Sequence, residues 1–283
     1  MNTLFIAFQY IIPQHLLSRM LGWLAECEWP ILKVWLINMF ISKYNVNMSE
    51  ALEEDTASYK NFNAFFTRSL KPDARSIAED TAVIISPADG AVSQLGDISY
   101  GRIFQAKGQS YTAVELLGGN SELASEFDDG AFATIYLSPK DYHRVHMPIA
   151  GTLRETIYIP GDLFSVNQTT AENVPRLFSR NERLVAIFDT EAGPMAMVLV
   201  GAMIVAGIET VWGGQIAPPP KTPTRVDFAS NAKVTLAKGD EMGRFKLGST
   251  VVLLFPKDAM AWSEALGAQS PLSMGEEIAK LTA

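Results

Sequence analysis

Apolar and polar positions divide this 283-residue chain into three stretches of different rhythm. Residues 3–41 are dominated by apolar side chains, as in Leu4-Phe5-Ile6-Ala7-Phe8, Leu21-Gly22-Trp23-Leu24 and Ile31-Leu32-Lys33-Val34-Trp35-Leu36-Ile37. Gln9, Pro13-Gln14-His15, Arg19, Glu26, Glu28 and Pro30 break that stretch into short pieces. A membrane-spanning helix needs about 20 uninterrupted apolar residues. The pattern therefore predicts two or three short amphipathic helices that lie in a membrane face without crossing it. Trp23, Trp29 and Trp35 fall in this segment, and tryptophan favours the headgroup layer. The same pattern also fits a helical cap over a soluble core, or a subunit interface. A secretory signal is not expected, because a basic n-region and a small-residue cleavage site are both missing.

Past residue 48 the rhythm changes. Ser49, followed by the acids Glu50, Glu53 and Glu54, predicts a capped helix start. Asn61-Phe62-Asn63-Ala64-Phe65-Phe66-Thr67-Arg68 reads as a helix or close-packed segment. Beyond Ala82, short β-branched or aromatic runs bounded by turn residues predict strands over 83–85, 131–137, 184–188, 196–200 and 251–255. Pro218-Pro219-Pro220-Lys221-Thr222-Pro223 reads as a stiff loop, not a domain boundary. The expected fold class is α+β: a helical membrane-associating region, residues 1–48, followed by a single antiparallel-rich β core within a second domain, residues 49–283.

Composition narrows the function classes. At 48% hydrophobic residues the chain can bury a large core in one or two domains. A net charge of −8 argues against nucleic acid as a partner. Residues 1–48 carry one net positive charge, which leaves −9 on the remainder. The single cysteine, Cys27, rules out an intrachain disulfide and makes a thiolate metal site improbable on ligand count.

The chemistry concentrates in three places. Gly248-Ser249-Thr250 lies between two apolar runs near the C-terminus, with a hydroxyl directly after a residue that cannot shield its own carbonyl. An activated Ser249 can attack that carbonyl and cut the chain between Gly248 and Ser249. Two of the three histidines stand in Tyr142-His143-Arg144-Val145-His146-Met147-Pro148, after Ser138-Pro139-Lys140-Asp141, which resembles a helix cap leading into one helical turn. A metal on this pair lacks further ligands nearby, so none is expected; two structural histidines, one buried and one exposed, fit equally. Ser86-Pro87-Ala88-Asp89-Gly90 follows a strand and reads as a turn, or as the carrier of a carboxylate that orients a histidine.

Taken together, several motifs resemble a known family. Phe62-Asn63-Ala64-Phe65-Phe66-Thr67-Arg68, Ser86-Pro87-Ala88-Asp89-Gly90, Asp141-Tyr142-His143-Arg144-Val145-His146-Met147-Pro148, Pro160-Gly161-Asp162-Leu163-Phe164-Ser165-Val166-Asn167, Asn181-Glu182-Arg183, Gly207-Ile208-Glu209-Thr210-Val211-Trp212 and Lys246-Leu247-Gly248-Ser249-Thr250 occur in that order. The set looks like the bacterial, membrane-associated, pyruvoyl-dependent phosphatidylserine decarboxylases. That resemblance implies self-cleavage into a 1–248 β chain and a 249–283 α chain. Ser249 would be the internal nucleophile, His146 its general base and Asp89 the partner of His146. β-Elimination of the resulting ester and loss of ammonia would turn Ser249 into a pyruvoyl group. This cofactor would form a Schiff base with the amine of phosphatidylserine, and His143 would protonate the α-carbon after CO₂ leaves, giving phosphatidylethanolamine. The resemblance further implies a peripheral protein on the cytoplasmic face of the inner membrane, and a homodimer of the paired α and β chains.

Two other classes fit parts of the pattern. A serine hydrolase would use Ser249, His146 and Asp89 on an external ester, although the Gly-x-Ser-x-Gly elbow is missing. A non-catalytic membrane scaffold would leave the chain uncut. Cys27 and Glu209 read as structural, while Arg68 and Arg144 either meet a lipid phosphate or pair with acids.

Overall fold

The computed structural model describes residues 2–203, 207–216, 220–229, 233–246 and 249–282. The apolar N-terminal stretch forms three helices, α1 (Asn2–Ile11), α2 (Gln14–Ala25) and α3 (Pro30–Tyr44). Pro30 opens α3 at a position where its missing N–H costs nothing, and Asn45 closes it in the left-handed conformation. No helix among the described residues is long and apolar enough to cross a membrane.

The polar residues that interrupt the apolar run are the points at which these helices dock on the rest of the protein. Gln9, almost fully buried, accepts the Ser165 N–H, and Gln14 accepts the Leu163 N–H. Glu26 accepts from the side-chain amides of Asn61 and Asn63. On the same helices Leu4, Phe8, Ile11, Met20, Trp23, Ile31 and Trp35 stand exposed, Trp23 at 78%, as does Trp29 at the N-cap of α3. Helix α3 turns Ile37 inward, and its Phe40 ring meets Phe62, Phe65 and Phe66. The last three lie on α4 (Phe62–Phe66), capped by Asn61.

The predicted helix start at Ser49 does not form. Asn47 Oδ1 accepts both the N–H and the hydroxyl of Ser49, Glu53 accepts the Asp55 N–H, and Asp55 accepts the Ala57 N–H. Such short-range side-chain acceptors compete with helical hydrogen bonds and leave a run of turns. The segment after Ser138 is likewise a turn and not a helix, because Asp141 accepts from the Ser138 N–H and hydroxyl.

The remainder is the expected antiparallel β core. Its main sheet runs Thr224–Asp227, Gly151–Ile159, Arg183–Thr190, Gly193–Val200, Ser249–Phe255, Ala131–Leu137, Gly90–Asp97, Pro271–Leu272. Val251, Leu253 and Phe255 belong to the core on one face, and Val252 and Leu254 to the core on the other. Both faces are covered, which is why these strands read as unbroken apolar runs rather than alternating ones. A smaller sheet, Gly214–Gln215, Gly207–Thr210, Glu241–Lys246, Arg144–His146, shares the first of these cores through Val145, Ile208 and Phe245. Of the loop predicted at 218–223, Pro218 and Pro219 lie outside the described residues, and 220–223 is non-regular.

Candidate active site

Three separate segments converge at one end of the central strand Ala131–Leu137. Ser249 pairs directly with Leu137 in the ladder. Leu137 is followed at once by the Ser138 turn that leads to His143 and His146. Ala91 pairs with Tyr136, so Asp89 arrives at the same end from the other side. Gly90 is required there, since a Cβ on it would lie 2.3 Å from the Tyr136 carbonyl oxygen. Two backbone hydrogen bonds tie the segments together: the His146 N–H donates to Pro87 O at 2.8 Å, and the Phe245 N–H to His143 O at 3.0 Å. The sheet thus gathers Asp89, His143, His146 and Ser249, which are far apart in sequence.

Ser249 is fully buried, and its hydroxyl has no hydrogen-bond partner among the described residues. Gly248, the other half of the expected cleavage site, lies outside the described residues. His143 is also fully buried, with its ring 4.0 Å from that of Phe66. Its Nδ1 is 2.7 Å from Asp141 O. A carbonyl only accepts, so Nδ1 carries the proton and Nε2 presents a lone pair. That Nε2 has no partner among the described residues. Burial pushes the His143 pKa down to about 3, which keeps the ring neutral.

His146 follows the same logic with different partners. Its Nδ1–H donates to Gly239 O at 2.8 Å, and its Nε2 accepts from the Tyr142 hydroxyl at 3.0 Å. Burial lowers its pKa as well, with the field of Glu241 and Asp89 acting in the opposite sense. Burial lifts the Tyr142 phenol to about 12, so it remains a donor.

Asp89 does not hydrogen-bond to His146 in this arrangement. Its carboxylate takes both Nε and a terminal nitrogen of Arg75, and accepts the Met274 N–H at 2.8 Å. Arg75 in turn reaches Glu50 at 2.9 Å, and these bonds hold its guanidinium in the charged form more firmly than usual. The Gly239 carbonyl therefore orients the ring nitrogen that was assigned to Asp89, while Asp89 acts on both imidazoles through its charge. Sequence reasoning missed Arg75, whose role rests on long-range contacts that no local pattern announces. Tyr142 was within reach, since it stands four residues before the histidine it binds. Among the described residues no three His, Cys, Asp or Glu side chains are grouped to hold a metal ion.

Comparison with known proteins points one way. The sequence model of a family described as "Phosphatidylserine decarboxylase" matches residues 62–280, and one described as "PSD" matches residues 4–45. The protein named phosphatidylserine decarboxylase proenzyme from Pseudomonas entomophila strain L48 is 62% identical over 280 residues, 98% of each chain. Its namesake from Pseudomonas putida strain W619 is 62% identical over the same shares. The one from Pseudomonas aeruginosa strain LESB58 is 59% identical, over 98% of this chain and 97% of its own.

Proposed function

The chain belongs to the phosphatidylserine decarboxylase family, and from that premise we propose that it is a self-processing carboxy-lyase that converts phosphatidylserine to phosphatidylethanolamine and CO₂ in phospholipid synthesis. The observation that carries this reading is the convergence, at one end of the main sheet, of Asp89, both histidines and a buried Ser249 hydroxyl that has no hydrogen-bond partner among the described residues. A free serine hydroxyl is a weak nucleophile and needs an adjacent base. His146, neutral and held in one tautomer, takes the hydroxyl proton as Ser249 Oγ attacks the Gly248 carbonyl. Tyr142 sits on the accepting nitrogen and either passes the proton on or gives way. Asp89 stabilises the imidazolium that forms, through its buried charge.

Cleavage leaves a 1–248 β chain and a 249–283 α chain, and the cofactor is the pyruvoyl group derived from Ser249. The site fits such a group: position 249 is fully enclosed, and among the described residues neither its hydroxyl nor Nε2 of the neutral His143 ring, gathered at the same end of the sheet, has a hydrogen-bond partner. When formed, the group supplies an electrophilic carbonyl for the substrate amine and an acceptor for the electron pair left as CO₂ departs. The Nε2 lone pair of His143 takes up a proton released by the substrate ammonium and returns that proton to the α-carbon, and Phe66 lies against the ring. Residues 1–48 form the membrane-associating region, with the enzyme peripheral on the cytoplasmic face of the inner membrane and the α–β pairs joined as a homodimer.

Intact-mass measurement tests this directly. Wild-type protein should appear as two chains, the smaller with a blocked, borohydride-sensitive N-terminus. Ser249→Ala and His146→Ala should stay uncut, and Asp89→Asn should cut at least about tenfold more slowly. His143→Ala should cut but lose decarboxylase activity. A single uncut wild-type species would refute the reading, and an uncut His143→Ala would refute the division of labour between the histidines.

A further inference from the structure

Beside the histidine pair lies a polar cavity of about 220 Å³ whose wall includes Asn45, Asn47, Arg68, Asp89, Lys140 and Tyr142. Arg68 is the unusual member. It is only 5% exposed, yet its guanidinium makes a single long hydrogen bond, 3.4 Å to Lys140 O, and its buried Nε has no partner among the described residues. Four other cations around the site are matched, while Lys140 on the same wall forms no ion pair among the described residues. Arg75 takes Asp89 and Glu50, Arg144 takes Glu241, Arg244 takes Glu209 and Glu241, and Lys246 takes Glu26 and Glu209. No carboxylate lies within ion-pair distance of Arg68 among the described residues.

The Phe65 ring face and the more distant charges of Asp89 and Glu50 offset part of this burial. A buried guanidinium without a directly paired carboxylate is still expensive, and its retention points to an anion that arrives from outside. The chain places this charge close to the chemistry. Phe66, two residues earlier, lies against the His143 ring, and Thr67 O accepts from Arg144 Nε at 2.9 Å. The sequence left Arg68 and Arg144 as equal candidates for a lipid phosphate; the ion pair with Glu241 removes Arg144.

We propose that Arg68 binds the phosphodiester of the phospholipid headgroup and so fixes the serine moiety against His143. This rests on the decarboxylase reading and adds to it the group that recognises the substrate. The headgroup offers two anions, and the chemistry separates them. The carboxylate loses its charge during the reaction, so a strong ion pair to it stabilises the ground state and slows the step. The phosphodiester keeps its charge throughout, so pairing with it costs the chemical step nothing and strengthens binding.

The test uses the mature two-chain enzyme with two soluble substrates: glycerophospho-L-serine, which keeps the phosphodiester, and O-methyl-L-serine, which does not. The ratio of their kcat/KM values should fall on the order of a hundredfold in Arg68→Gln, mainly through KM, and by less in Arg68→Lys. Inorganic phosphate should compete with glycerophospho-L-serine in wild type and lose that effect in Arg68→Gln. An equal fall for both substrates would overturn the proposal, because Arg68 would then hold the fold or the carboxylate. An unchanged ratio, phosphate binding that does not compete, or failure of both variants to self-cleave would also overturn it. A wild-type enzyme that is inactive on both substrates is a different result, and removes the decarboxylase reading together with this one.

Discussion

Each histidine of the pair gives its Nδ1–H to a backbone carbonyl, Asp141 O for His143 and Gly239 O for His146, so backbone geometry selects the tautomer of both. Their neutrality has a consequence for stability. An unfolded histidine takes up a proton near pH 6.5, whereas buried His143 resists until about pH 3. Above pH 7 neither state binds that proton and the native fold suffers no penalty. As pH falls through 6.5 toward 3, only the unfolded chain gains it, and stability declines by about 1.4 kcal/mol per pH unit for each such group. His146 acts in the same direction, while Asp141 and Glu182, whose pKa values burial raises, act in the opposite one. Comparing urea midpoints of uncut Ser249→Ala with and without His143→Gln isolates the term. The second protein should lose less stability between pH 7 and pH 5, and parallel curves would refute it. At this scale the four proposed site residues were legible as motifs, because each motif is local. The partners were not, since Arg75, Gly239 and Met274 reach the site only through the folded chain.

Among the elements, the strands were the most legible and the connections the least. The strand predicted at 131–137 forms as Ala131–Leu137, since a run buried on both faces leaves no polar residue to blur its ends. Ser49 and Ser138 misled because serine beside acids and amides serves turns as readily as helices. The N-terminal helices combine both lessons. Their apolar residues led to the expectation of a membrane-facing surface, whereas Gln9, Gln14 and Glu26, read as interruptions, prove to be the docking contacts. The two sets can therefore be separated by substitution. Replacing exposed Met20, Trp23 and Trp35 together by serine should abolish flotation with liposomes and leave self-cleavage intact, because these side chains face outward. Undiminished flotation would sink the membrane role of this surface.

Across the whole molecule, the position of the proposed cut relative to the main sheet matters most. The 249–283 segment supplies the strand Ser249–Phe255, which lies between Gly193–Val200 and Ala131–Leu137, together with Met260–Trp262, Pro271–Leu272 and Glu277–Leu281. Burial of Val251, Val252, Leu253, Leu254 and Phe255 contributes roughly ten kcal/mol at about 2 kcal/mol per side chain. The cut chains should therefore co-elute in native size exclusion and part only in denaturant. The same arrangement gives the protein a direction in time. An uncut chain reaches its fold in a first-order process, because both halves travel on one polymer. Once cut and separated in denaturant, the 1–248 chain lacks the central strand of its sheet, and only a second molecule can supply it. Refolding of denatured mature enzyme should become second order, its half-time lengthening on dilution, whereas Ser249→Ala should refold at a rate independent of concentration. Making the catalytic group would then cost the chain its ability to re-form alone.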